Sequence, residues 1–168
     1  MTPEVISAEW EKEESFFSKL NRLDDVVAAE LDRNEKVSLI GASAAGPLVI
    51  SALIEQPNIH RVITLSSRLR GLGEKNRLAM EALRAISPAA AEGIIWIEGQ
   101  QGETLTPQIR KKIMNTRVLS GDKQVPPEAS YIDGACNLFL PPVSNHMQAV
   151  SKALTEHGDI IVAFLKQP

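Results

Sequence analysis

Four short apolar runs, Val37–Ile40, Arg61–Ser66, Thr116–Ser120 and Cys136–Leu140, alternate along this chain with stretches of helical periodicity. No other feature limits the possible folds as much. Strands separated by helix-length connections do not pair as hairpins; each crossover returns the next strand parallel to the last. The helices between them are read from spacing and stop signals. Glu14 to Glu30 sets Phe16, Phe17, Leu20, Leu23, Val26 and Val27 at helical intervals. The apolar stretch after Ser43 runs to about Glu55, where Gln56-Pro57-Asn58 stops it. A turn at Gly71 to Gly73 precedes an amphipathic helix from Asn76 to Ile86, and Pro88 opens another. Thr106 caps a short helix to Met114, and Met147 to Leu165 closes the chain as one helix.

The expected fold is therefore α/β: three layers, with a mostly parallel sheet of about four strands and helices on both faces. Residues 1–168 are expected to form a single domain, with 1–34 as a helical segment packed on its core. A hydrophobic content of 43% suffices for such a core. Eighteen Lys and Arg stand against 21 Asp and Glu, a net charge of −3, and no basic block interrupts the sequence. Nucleic acid is not an expected partner. The single cysteine, Cys136, excludes an internal disulfide and a multi-cysteine zinc site. Three histidines, His60, His146 and His157, sit on separate elements, so no metal site and no cofactor are expected. No apolar run approaches the ~18 residues of a membrane span, and Met1-Thr2-Pro3-Glu4 does not open a signal peptide. No membrane association is expected, and the expected location is cytoplasmic.

Ligands of parallel sheets bind beyond the carboxyl ends of the strands. Three of the four strands lead there into a residue with catalytic potential: Ser43, Asp122 and His146. Around Ser43, the segment Gly41-Ala42-Ser43-Ala44-Ala45-Gly46 joins a strand to a buried helix through small residues only. A serine on such a tight turn is held clear of the chain, the arrangement of a nucleophile elbow. Each residue also has an ordinary structural reading. Ser43 suits a helix cap, Asp122 a Gly-Asp turn and His146 a surface cap. Asp133, before Gly134, is a turn residue and the alternate acid. His60 and His157 read as structural, and Trp10 and Trp96 as packing residues. A dinucleotide fold fits poorly: the glycine turn lacks the middle glycine of Gly-x-Gly-x-x-Gly, and no acid follows the next strand at Ser66-Ser67-Arg68.

The joint order resembles the α/β-hydrolase family. Gly41-Ala42-Ser43-Ala44-Ala45 resembles its elbow, with Ala45 at the position of the last glycine. Gly121-Asp122-Lys123-Gln124-Val125-Pro126-Pro127 resembles its acid loop, and Leu140 to His146 its histidine loop. The likeness runs from about Leu23 onward, in a truncated form lacking the family's N-terminal strands. It implies a Ser43–His146–Asp122 triad, with the Ala44 N–H donating to an oxyanion. Ala42 and Asn145 flank Ser43 and His146, Ser67 lies at the end of the second strand near the site, and these three are the expected substrate contacts. The implied activity is hydrolysis of a small ester or thioester through an acyl-enzyme. The alternative is a non-catalytic or very weakly active hydrolase-like module that binds a ligand or partner. Without the preceding strands, Val37–Ile40 is expected at a sheet edge, covered either by Phe16, Phe17 and Leu20 or by a second copy. A homodimer is the preferred expectation.

Overall fold

In the computed structural model, residues 4–34, 36–71, 77–98 and 106–168 are described. They form a four-stranded, all-parallel sheet of β1 (Ser38–Ala42), β2 (Arg61–Leu65), β3 (Thr116–Asp122) and β4 (Cys136–Val143), in the spatial order β1-β2-β3-β4. Before β1 comes α1 (Phe16–Leu31), and α2 (Ala45–Glu55) joins β1 to β2. Helices α3 (Arg77–Ile86), α4 (Pro88–Glu98) and α5 (Pro107–Met114) lie between β2 and β3. A single turn, α6 (Pro127–Ser130), precedes β4, and α7 (His146–Glu156) and α8 (Gly158–Leu165) follow it. The expected three-layer α/β fold is the observed one. The expected turn at Gly71 to Gly73 and the helix start at Asn76 lie outside the described residues, apart from Gly71, whose φ is 81°.

Strand alternation sorts the core into two layers. Val62 and Val118 face a large cluster with Leu20, Leu23 and Val27 of α1, Leu48 to Leu53 of α2, and Ile94 and Trp96 of α4. Ile63, Leu65 and Leu119 face the other side, where Ala153 of α7 and Ile161 and Phe164 of α8 cover them. Trp96, 4% exposed, is the packing residue its sequence context suggests. Ser15 caps α1, its hydroxyl accepting the Ser18 N–H. Burial of Leu20, Leu23 and Val27 against α2 then fixes the helix to the core. Each such side chain contributes about 1.5–3 kcal/mol.

Several boundaries differ from the sequence reading. β1 and β3 each run two residues further, to Ala42 and Asp122. β4 continues through Pro141 and Pro142 to Val143, because a parallel edge strand tolerates residues that donate nothing to a ladder. The expected final helix is two helices broken at His157, which ends α7 ahead of Gly158. His60 is structural: its Nε2 bonds the Gln167 carbonyl at 2.9 Å at the amino end of β2. Beside it Arg61 and Arg117 lie over the Phe164 ring, at 5.1 and 4.8 Å from its centre. No described helix is long and apolar enough to cross a membrane.

At the α1–α2 contact, the Asp24 carboxyl has one buried oxygen that finds no donor among the described residues. Burial first, then a hydrogen bond with Glu55 and the charges of Glu55 and Asp25, raise its pKa from 3.8 to about 8. The folded state thus holds a proton that the unfolded chain releases near pH 4. The stabilisation is complete below that value and is lost as the pH rises through about 8. Urea midpoints measured from pH 5 to pH 9 are expected to fall for the wild type and to flatten in Asp24→Asn, which mimics the protonated acid.

Candidate functional site

The turn after β1 is shaped by the closeness of α2. A Cβ on Gly41 would lie 2.6 Å from the Ala45 carbonyl oxygen and 2.7 Å from Val49 Cγ2. Only glycine permits α2 to fold back over the strand end at that distance. The chain escapes by turning Ser43 left-handed, at φ 53°. That conformation costs a residue with a side chain of order 1–3 kcal/mol and persists where neighbours dictate it. Here the Ser43 N–H donates to the Leu65 carbonyl of β2 at 3.0 Å, and its carbonyl accepts the Gly46 N–H at 3.2 Å. Ser43 is not the cap of α2; that position is Ala44, without a side-chain bond. The hydroxyl is left to project from the sheet edge.

Asp122 reaches the same place from β3. Ser120 pairs with Phe139, but Asp122 pairs with Val143, so β4 spends two extra residues over this interval. Pro141 and Pro142 occupy it, where missing N–H groups interrupt the ladder. The Asp122 side chain is fully buried. Its Oδ1 accepts the Gln124 N–H at 2.8 Å and its Oδ2 accepts from His146 Nδ1. His146 is the first residue of α7, aimed by Asn145, whose side chain caps that helix by accepting the Gln148 N–H at 3.0 Å.

His146 Nε2 lies 2.7 Å from Ser43 Oγ. A carboxylate can only accept, so it requires the proton on Nδ1 and leaves Nε2 as acceptor of the serine hydroxyl. Serine, imidazole and carboxylate are therefore joined in one hydrogen-bonded line. Such a line can take a proton from Oγ, hold it on the ring and return it. Among the described residues no protein acceptor engages the Ala44 N–H, which stands beside Ser43 at the start of α2. Asp133 stands apart from this line: it is exposed and accepts from the Tyr131 hydroxyl at 3.1 Å.

Beside Ser43 opens a cavity of about 480 Å³, within the usual range for small-molecule sites. Ser43, Ala44 and His146 line it. The three expected substrate contacts do not. Ala42 packs into the second core layer. Ser67 is buried, its hydroxyl donating to the Leu65 carbonyl at 3.2 Å, in contact with Gly46. Asn145 is committed to its cap. The cavity instead takes Ser66, at φ 47°, together with Trp10, Phe16 and Lys19 from the N-terminal segment and Arg68, Gln124 and Val125 from loops. Reading Ser66-Ser67-Arg68 with its left-handed first residue would have exchanged Ser67 for its two neighbours; nothing in the sequence around Trp10 signals its place. No family model matches the chain, and no curated protein matches it.

Gly41→Ala is expected to destabilise the fold by about 1–3 kcal/mol in urea denaturation, because its new methyl group meets backbone that cannot give way. A change below 0.5 kcal/mol would show that the elbow is not held by this contact.

Proposed function

We propose that this chain is a serine hydrolase of the α/β-hydrolase kind, cleaving a small ester or thioester through an acyl-enzyme. The observation that carries the reading is the 2.7 Å contact between Ser43 Oγ and His146 Nε2, made by a serine held left-handed at a strand end. A serine hydroxyl is a weak nucleophile until a base removes its proton. As Oγ attacks the substrate carbonyl carbon, Nε2 takes that proton and the buried Asp122 carboxylate stabilises the imidazolium. The Ala44 N–H donates to the oxyanion of the tetrahedral intermediate. Collapse expels the alcohol or thiol, which takes the proton from Nε2 and leaves an ester on Ser43. Water then repeats the sequence on that ester, giving the acid and free Ser43. No cofactor enters these steps.

The test is labelling of the folded protein by a fluorophosphonate, with turnover of 4-nitrophenyl acetate beside it. Both are expected in the wild type and absent in Ser43→Ala and His146→Ala, while Asp122→Asn loses about 10⁴-fold in kcat. A folded wild type that neither labels nor turns over would leave the binding-module alternative.

The same reading includes a homodimer. Among the described residues β1 pairs only with β2, and Ile40 is 46% exposed. Light scattering at micromolar concentration is expected to give twice the chain mass of 18.3 kDa; the monomer mass would end this part of the proposal.

A further inference from the structure

Among the described residues the cavity beside Ser43 carries charge of one sign. Lys19, Arg68 and Arg70 line it, and none of its described lining residues is an aspartate or glutamate. The chain as a whole has a net charge of −3, so this wall departs from the composition around it. Two nearby acids are engaged elsewhere. Glu14, close in sequence to the lining residue Phe16, pairs with Arg22 at 2.5 Å and accepts the Glu11 N–H at 3.2 Å. The Asp122 carboxylate lies buried behind the imidazole of His146.

Among the described residues neither Lys19 nor Arg68 has a carboxylate within ion-pair distance. Arg68 is exposed, and its Nη2 donates to the Gln124 carbonyl, itself part of the wall, at 3.3 Å. That single bond positions the guanidinium and leaves its other N–H groups for a ligand. Arg70 is steadied over the Tyr131 ring, at 5.8 Å from its centre. Phe16 and Lys19 belong to the opening turns of α1. The wall also presents apolar side chains, among them Trp10, Leu48 and Val125.

We propose that the substrate is a small ester bearing a free carboxylate, held by Arg68 and Lys19 while its apolar part lies against Trp10 and Val125. The proposal rests on the hydrolase reading for the reaction, but its recognition chemistry belongs to the cavity alone. A carboxylate suits the planar donor fork of Arg68, and a second cation on a separate element fixes where the anion sits relative to Ser43. One such charged contact is worth roughly a 10- to 100-fold preference.

The test uses the full chain and two matched ester pairs. Mono-4-nitrophenyl glutarate is compared with 4-nitrophenyl pentanoate, and 4-acetoxybenzoate with its methyl ester, so the charge is placed once on the acyl side and once on the leaving group. In at least one pair kcat/KM is expected to favour the anion by about tenfold or more, with the preference shrinking as salt is added. The ratio is expected to fall towards one in Arg68→Gln and further in Lys19→Gln/Arg68→Gln. Equal or better turnover of the neutral ester in both pairs overturns the proposal, as does a preference that survives the double variant. Calorimetry with the non-hydrolysable glutaranilic acid and pentananilide separates the two readings. Tighter binding of the acid, lost in the double variant, supports the anion site even if no ester is turned over, a result that defeats only the hydrolase reading. Equal binding without turnover overturns both.

Discussion

The contact of α2 with the end of β1 is the constraint on which the site depends. A helix that returns within van der Waals range of its own strand leaves no space for a side chain at Gly41, and the backbone relieves the crowding at Ser43. The hydroxyl is thereby lifted from the sheet before any partner is considered. The core supplies the force: α2 is buried along nearly its whole length, between the sheet on one side and α1 and α4 on the other. Strain at one serine is offset by apolar burial spread over many residues, the usual economy of a strained site in a packed domain.

His146 and Asp122 reach the same point by different local means. Asp122 gains its position from the irregular pairing of β3 with β4, for which the two adjacent prolines give the physical reason. His146 is aimed by a capped helix start, and the carboxylate then selects which ring nitrogen faces the serine. Gln124 links the parts further: its N–H bonds Asp122, its side chain donates to the Ser144 carbonyl at 3.2 Å, and its own carbonyl holds Arg68. The loop after β3 thus connects the acid, the approach to α7 and the cationic wall.

Much of this was legible in the sequence, for identifiable reasons. Alternating apolar runs fix a parallel sheet because few other arrangements bury them, and the strand ends then single out Ser43, Asp122 and His146. What the sequence hides is direction. Ala42 and Ser67 are neighbours of cavity residues along the chain, yet their side chains point into the core, and Asn145 turns to the N–H groups of α7. The N-terminal wall was hidden too, because Trp10 precedes any periodic element and is placed only by tertiary packing. Pro141 and Pro142 read as a loop because proline is rare in strands, although an edge strand accepts them.

The strand ends share one further property. Ser43 bonds through its N–H to Leu65 of β2, and Ser66, also left-handed, bonds through its N–H to Leu119 of β3 at 2.9 Å. The floor of the cavity is therefore an extension of the sheet ladder, stepped from strand to strand, whereas Trp10 and Arg68 stand on segments outside it. Floor and rim are separable inheritances. Substitutions can recolour the rim, exchanging charge for apolar surface or one size for another, without moving the serine by the width of an atom. A lineage built on this chain could vary the rim while the hydrogen-bonded line of Ser43, His146 and Asp122 kept its place.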